Sequence, residues 1–461
     1  MNIFCKTYIV SLLVLLTGLF FTSCGEDRTY QYEEKTEKSQ WIYKIMNQYY
    51  LWYKEMPSVN DYKIFFNDPK TFFYKLLSKK DKYSYIEMEE DTRSINSTST
   101  YGFDFMLYVD PVTQSQSSTT RYARVLYVLS DSPAKEAGLK RGDWISAING
   151  ESLTQKNYMA LVSGGPTTLT ISTLNYQRPD SIYWEETTQT LTLQASRKVE
   201  DNPFFVDSVY YLNGKHIGYL MYNKFSTGPD DTGDETQYAY QMQNIFSRFK
   251  GENLTDFVLD LRYNPGGYLT CAQQLGSLIA PDAAMGNVFC SLEFNDKQGD
   301  LNQKYLFDKA QASNYGLNLQ RIYIITSEQT ASASETLINS LIPFLGKENI
   351  ILVGEKTEGK NVASLTFESP YNFKIQPIVA TVYNSEGLSD YANGFSPDYE
   401  IDEALYINNL APLGDINEIM LNTTLGLILD ITKKQTRNIL HPILQPTFNS
   451  IELKTKGNIV K

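Results

Sequence analysis

A chain of 461 residues has room for about two or three domains and a substantial core. Its balance is acidic, with a formal net charge of -12 and no basic stripe, which excludes the electrostatic footprint of a nucleic-acid partner. With 34 Tyr and 23 Phe it carries too much aromatic surface for a disordered protein.

Residues 1–23 read as a targeting segment. Lys6 precedes an apolar run from Tyr8 to Phe21 that is short for a bilayer span. The run ends in Phe21-Thr22-Ser23-Cys24, which resembles a bacterial lipoprotein lipobox and implies cleavage after Ser23 and a diacylated Cys24. A plain secretory signal or an uncleaved anchor stays open. The resemblance implies a cell-envelope protein, lipid-anchored to the outer membrane and either periplasmic or surface-exposed. The acidic start Gly25-Glu26-Asp27 resembles surface-exposed lipoproteins of some Gram-negative bacteria.

With Cys5 in the signal and Cys24 lipidated, Cys271 and Cys290 remain, either paired in an oxidising compartment or buried and free. His216 and His441 are the only histidines and neither has a partner at ligand spacing, so no metal site and no cofactor are expected. The same scarcity argues against a Ser-His-Asp triad. An activated serine in this chain needs another base, and lysine is favoured.

Residues 24–36 are polar and read as a tether. From Glu37, apolar residues at Trp41, Ile42, Ile45, Met46, Tyr49 and Tyr50 predict a helix that ends by Pro57. A second helix is predicted over Pro69 to Leu77. Together they make an N-terminal helical domain, 37–96, whose aromatic stripe reads as packing.

An alternating strand over Ala123–Val128 follows a Ser/Thr/Gln-rich hairpin tip, 113–120. Next comes Ser132-Pro133-Ala134-Lys135-Glu136-Ala137-Gly138-Leu139, then Gly142-Asp143-Trp144-Ile145-Ser146-Ala147-Ile148-Asn149-Gly150. It predicts a short helix from Pro133, a turn, a strand and an Asn-Gly hairpin. This string resembles a PDZ domain, over about residues 97–196. The resemblance puts Tyr101-Gly102-Phe103 at the carboxylate-binding loop, whose amides hold a peptide terminus while the peptide adds as a strand. It implies polypeptide partners with free C-termini. A scaffolding PDZ without that role stays open.

Asn202-Pro203 is the linker into a core of residues 203–430. Phe257-Val258-Leu259-Asp260-Leu261-Arg262-Tyr263-Asn264-Pro265-Gly266-Gly267 reads as a buried strand ending in a glycine pair that can approach a substrate closely. Further on, the apolar strand Ile322–Ile325 feeds Thr330-Ala331-Ser332-Ala333-Ser334-Glu335 and a helical pattern through Leu345. The strand Ile350–Val353 then runs into Gly354-Glu355-Lys356-Thr357-Glu358-Gly359-Lys360. Alternating strand, helix and strand set Ser332 and Lys360 on one edge of a parallel sheet. At a strand-to-helix turn, a serine hydroxyl is exposed in front of unpaired helix N–H groups. Ser334 is the alternative nucleophile, and a Ser/Ala-rich helix start also suits a plain N-cap.

These motifs resemble the carboxyl-terminal processing (tail-specific) serine peptidase family. The resemblance reaches from about residue 37 to 430 and includes Ala392-Asn393-Gly394-Phe395-Ser396-Pro397-Asp398 as a late turn. It implies Ser332 as nucleophile and Lys360 as general base. The oxyanion hole is assigned to the backbone N–H of Gly266 or Gly267 with that of Ala333, and Asp260 with Arg262 to a structural ion pair. Where the family often carries a glutamine beyond the lysine, this chain has Ser364, a possible third member. Residues 343–349 read as a loop insertion, and the tail 431–461 has no assigned role.

The expected fold is multidomain α/β: an N-terminal helical cap, a PDZ-like β/α domain, and an α/β peptidase core with a mixed or parallel sheet. The expected function is a serine endopeptidase acting on envelope or extracellular polypeptides, with the PDZ domain capturing substrate C-termini. The alternative is a catalytically silent, peptide-binding envelope lipoprotein. An esterase of the α/β-hydrolase type is disfavoured, because Ser332 lacks flanking glycines. Oligomeric state is left open.

Overall fold

The computed structural model describes residues 29–58, 62–88, 99–177, 181–405, 410–431 and 446–455. The targeting segment, Cys24 and His441 lie outside them. Among the described residues no helix is long and apolar enough to cross a membrane.

The core is a mixed six-stranded sheet. The strands Lys215–Tyr222, Asp256–Asp260, Ile322–Thr326, Ile350–Gly354 and Tyr399–Glu400 run parallel, and Phe204–Leu212 is antiparallel at one edge. Its central strands read as continuous apolar runs because both faces are covered. On one face lie the helices Gln237–Gly251, Leu269–Ile279 and Ala333–Leu345, sealed by Phe246, Phe249, Leu275 and Leu337. On the other, Tyr219, Val258 and Ile325 meet the helix Ile419–Ile428 and the PDZ-like residues Leu126 and Tyr127. A second, antiparallel sheet, Gln303–Leu306, Val288–Phe294, Ile378–Tyr383 and Val362–Ser364, flanks the first helix layer. Cys271 and Cys290 are free and buried.

The PDZ-like unit is built on the strands Phe103–Tyr108, Tyr122–Val128, Trp144–Ile148, Thr167–Gln177 and Ser181–Leu193, with a short helix at Pro133–Glu136. The N-terminal unit buries Ile42, Met46, Tyr50, Phe72 and Phe73 around Phe373 and Ile375 of the core. Its strand Tyr85–Met88 pairs antiparallel with Phe373–Gln376.

Two expectations are corrected. The first helix spans Thr29–Tyr49, so residues 29–36 are not tether; Thr36 is buried and its hydroxyl donates to Tyr32 O. Pro343 lies inside the helix Ala333–Leu345, so the interruption begins only at Gly346. The tail, left without a role by the sequence, contributes a strand. Phe448–Asn449 pairs antiparallel with the PDZ-like strand Phe103–Tyr108 as an added edge strand.

A buried charge network joins the PDZ-like unit to the core. Arg262 is fully buried; it meets Asp260 at 2.7 Å, Glu418 through two bonds of 2.7 and 2.9 Å, and Glu403 at 3.1 Å. Arg141, from the PDZ-like turn, reaches Glu403 and also donates to Tyr263 Oη, Leu126 O and Ala411 O. Burial alone would push the Glu403 and Glu418 carboxyls up, but the two guanidinium charges outweigh it and hold both below the ordinary range. The stability they contribute is present above the unfolded carboxylate pKa and is lost as pH falls through the lower folded one. Glu418→Ala removes one of three carboxylates around buried Arg262 and leaves two of its N–H donors without their partner, and should cost about 3 kcal/mol of unfolding free energy, read from urea titration at pH 7.

Candidate active site

Adjacent parallel strands bring three loops to the carboxyl edge of the main sheet, where open α/β sheets bind ligands. These are residues 261–268, 327–332 and 355–361. Ser332 and Lys360 lie on this one edge, as the strand, helix, strand pattern requires.

Ser332 sits at the N-cap position of the helix Ala333–Leu345, in a capping-box arrangement with Glu335. Its backbone is at φ 58°, ψ -115°, outside the usual extended cap geometry. A non-glycine residue at positive φ is strained and needs support from its surroundings. That support is Glu335. Its carboxylate accepts from Ser332 N at 3.0 Å and Lys360 N at 2.8 Å on one oxygen, and from Gly359 N at 2.7 Å and Thr357 Oγ1 at 2.6 Å on the other. Burial pushes this carboxyl up to about 7, against the opposing pull of its four donors. One buried side chain thus holds the Ser332 turn and the Lys360 loop together.

Lys360 is buried between the strand Ile350–Gly354 and the strand Val362–Ser364. Burial lowers its amine to about 8, partly opposed by the charges of Glu335, Asp81 and Glu358. Tyr83, from the N-terminal unit, covers it with its ring centroid 5.4 Å from Nζ, and its hydroxyl donates to Glu358 at 3.3 Å. A buried amine of lowered pKa is the form in which lysine serves as a base.

Asn264 ties the glycine pair to the serine turn. Its amide donates to Tyr222 O at 2.7 Å, and its carbonyl O accepts from Ala331 N and Ser334 Oγ. Gly266 and Gly267 have φ of 105° and 138°. A Cβ on Gly266 would fall 2.7 Å from Ser332 Cβ, and one on Gly267 would fall 2.1 Å from Phe225 O. No other residue fits there.

The structure sorts the remaining candidates. Ser334 is fully buried and its hydroxyl is spent on Asn264 O, so it is not the alternative nucleophile. Gly266 N–H already donates to Asn264 Oδ1 at 2.9 Å, which removes it as an oxyanion donor. The N–H groups of Gly267 and Ala333 make no hydrogen bond among the described residues and remain eligible. Ser364 is buried on its strand, in register with Ile378. Asp260 and Arg262 are buried in the ion network, as expected. Around the PDZ-like loop, Tyr101 N–H donates to Val162 O and Gly102 N–H to Thr100 Oγ1. Those two amides are therefore engaged and not on offer to a carboxylate, while Phe103 opens the edge strand. Glu335 and Tyr83 were not singled out from sequence. For Glu335 the signal was present, since Ser332-x-x-Glu335 is a capping-box spacing.

A mixed sheet with a strained serine elbow and a buried lysine on one edge, joined to a PDZ unit, defines the class, and comparison with known proteins agrees. The model of Peptidase family S41 matches residues 216–401, that of the Peptidase S41 N-terminal domain residues 37–85, and that of the PDZ domain residues 124–171. The crystal structure of a Bacteroides fragilis protein assigned to the S41 proteases superposes with a TM-score of 0.74 at 35% identity, over 85% of this chain and 97% of that one. A carboxy-terminal-processing protease of Bartonella bacilliformis is 25% identical over 61% of this chain, but the match spans only 59% of that protein. A CtpA-like serine protease of Staphylococcus aureus is 25% identical over 88% of this chain and 73% of its own. The chain belongs to peptidase family S41, a family of serine-type peptidases.

The clamp makes a prediction that does not depend on turnover. The Glu335 charge raises the Lys360 pKa, so Glu335→Gln should lower it below its value of about 8. Carbon-13 NMR titration of the lysine ε-carbons should show this resonance moving to lower pH in Glu335→Gln and missing in Lys360→Met.

Proposed function

We propose that this chain is a serine endopeptidase of the carboxyl-terminal processing type, in which Ser332 is the nucleophile and Lys360 its general base. The observation that carries this reading is the Glu335 carboxylate, which binds the backbone of both residues at once. Neutral Lys360 takes the Ser332 proton as Oγ attacks the scissile carbonyl. The carbonyl oxygen becomes an oxyanion facing the N–H groups of Gly267 and Ala333, at the positive end of the helix Ala333–Leu345. Collapse passes the proton to the leaving amine and leaves an acyl-enzyme, which water hydrolyses with Lys360 again as base. Polypeptides are the substrates, and the PDZ unit presents them by taking one segment as an added strand.

The test is cleavage of a loosely folded protein with an apolar C-terminus. Ser332→Ala and Lys360→Ala should each lose at least about a thousandfold in kcat/KM. Below pH 8 the wild-type rate should fall about tenfold per pH unit, because only the neutral amine accepts a proton. Full activity in Lys360→Ala would sink the dyad. Amidating the substrate terminus should slow cleavage if the free carboxylate is read.

We further propose that Cys24 is lipidated and holds the enzyme on the outer membrane of the cell envelope, on the strength of the lipobox-like Phe21-Thr22-Ser23-Cys24. Cys24→Ala should move the protein from the membrane fraction to the soluble envelope fraction. Unchanged membrane partition would refute the anchor.

A further inference from the structure

The added edge strand lies where a PDZ ligand would lie. Phe448 and Asn449 face Leu107 and Met106 in antiparallel register. Thr447 N donates to Leu107 O, and Ser450 N donates to Phe105 O at 2.9 Å. From 447 to 450 the segment therefore travels down the strand toward the loop Tyr101-Gly102-Phe103. This is the polarity required of any peptide whose terminus is to reach that loop. The Phe448 ring sits 4.9 Å from that of Tyr158 and 6.1 Å from that of Phe105, between the edge strand and the short helix Tyr158–Leu161. Strand on one side and helix on the other make the groove into which a PDZ ligand adds.

The fit is incomplete. The bridge covers two residue pairs. Phe105 N–H is satisfied by the Ser450 hydroxyl at 2.8 Å instead of by a ladder carbonyl, and that hydroxyl in turn donates to Asp104 Oδ1 at 2.7 Å. Asn449 is buried, yet its Nδ2 has no hydrogen-bond partner among the described residues, an arrangement that weakens the hold of the segment. One residue on, Ile451 is fully buried with Leu126, Tyr127 and the core. Ile451 is an anchor that keeps residues 447–450 at high local concentration over the groove.

We propose that residues 447–450 are an internal ligand that closes the PDZ groove, and that an incoming polypeptide must displace them to be captured. This rests on the PDZ unit being the capture site. The groove then prefers extended segments that carry an aromatic residue at the Phe448 position, against Tyr158 and Phe105. An external peptide competes with the internal one, so its apparent affinity falls by the fraction of time that the groove is open.

The test separates the groove from the chemistry. In the full chain carrying Ser332→Ala, binding of a labelled peptide copying residues 446–451, with a free C-terminus, is followed by fluorescence anisotropy. Phe448→Ala in that background should tighten binding about tenfold or more, as expected if the open form is a minor state. A second variant, Met106→Cys with Asn449→Cys, places cysteines on directly opposed residues; oxidised, it should abolish peptide binding, and reductant should restore it. Unchanged affinity in Phe448→Ala, undiminished binding in the oxidised pair, or no binding in any form overturns the internal ligand. Failure of the dyad would show instead as absent cleavage in the Ser332-containing chain, with this binding pattern intact.

Discussion

A single buried carboxylate ties two loops of the sheet edge together. Ser332 is held at positive φ, and Lys360 belongs to a different loop after a different strand. Glu335 joins them, because its two oxygens are filled by donors from both loops. Its own position is set by the first turn of the helix Ala333–Leu345, where the helix dipole favours negative charge. Alanine at this position would leave four donors unpaired in a buried place, so the geometry and the stability of this edge are the same property.

The Lys360 amine depends on burial in a similar way. Lysine is charged in water at neutral pH, and only desolvation opposes that here, since Glu335, Asp81 and Glu358 all pull the amine the other way. Part of the cover lies outside the peptidase sheet. Tyr83 arrives from the N-terminal unit, which is fixed by the pairing of Tyr85–Met88 with Phe373–Gln376 and by Ser84 Oγ accepting from Ile378 N. The aromatic N-terminal unit, which reads from its periodicity as packing, also places a ring over Lys360.

Much of this arrangement is legible in the sequence, for physical reasons that differ by element. The strands at Ile322 and Ile350 are short apolar runs separated by one amphipathic helix, so their parallel adjacency follows from chain connectivity. The glycine pair is legible because no other residue type tolerates its contacts. What a sequence does not display is which amides are already bonded. Gly266 and Gly267 look equivalent as donors, and only the position of the Asn264 side chain separates them. Likewise Tyr101 and Gly102 occupy the expected loop with their N–H groups turned inward to Val162 and Thr100. Thr447 to Ser450 is too short for any periodicity, and its pairing spans more than three hundred residues of chain.

The mounting of the PDZ unit bears on how a substrate reaches the serine. Arg141 and Arg262 share Glu403 and Glu418 in a network with almost no solvent exposure, and Tyr127 stacks on Tyr263 just beside it. Swinging the unit away from the core would uncover apolar residues and separate charges that are compensated only by one another. Breaking such a pair costs several kcal/mol because the partner left behind stays buried. The groove, by contrast, is closed by a short segment held through a two-residue bridge, two flanking backbone bonds and the Ser450 hydroxyl, with the Asn449 amide nitrogen unpaired among the described residues. Fewer buried charges and apolar residues are therefore at stake at the groove edge than at the domain boundary. If the segment 447–450 is the internal ligand proposed above, substrate access is set by a strand exchange on a fixed frame.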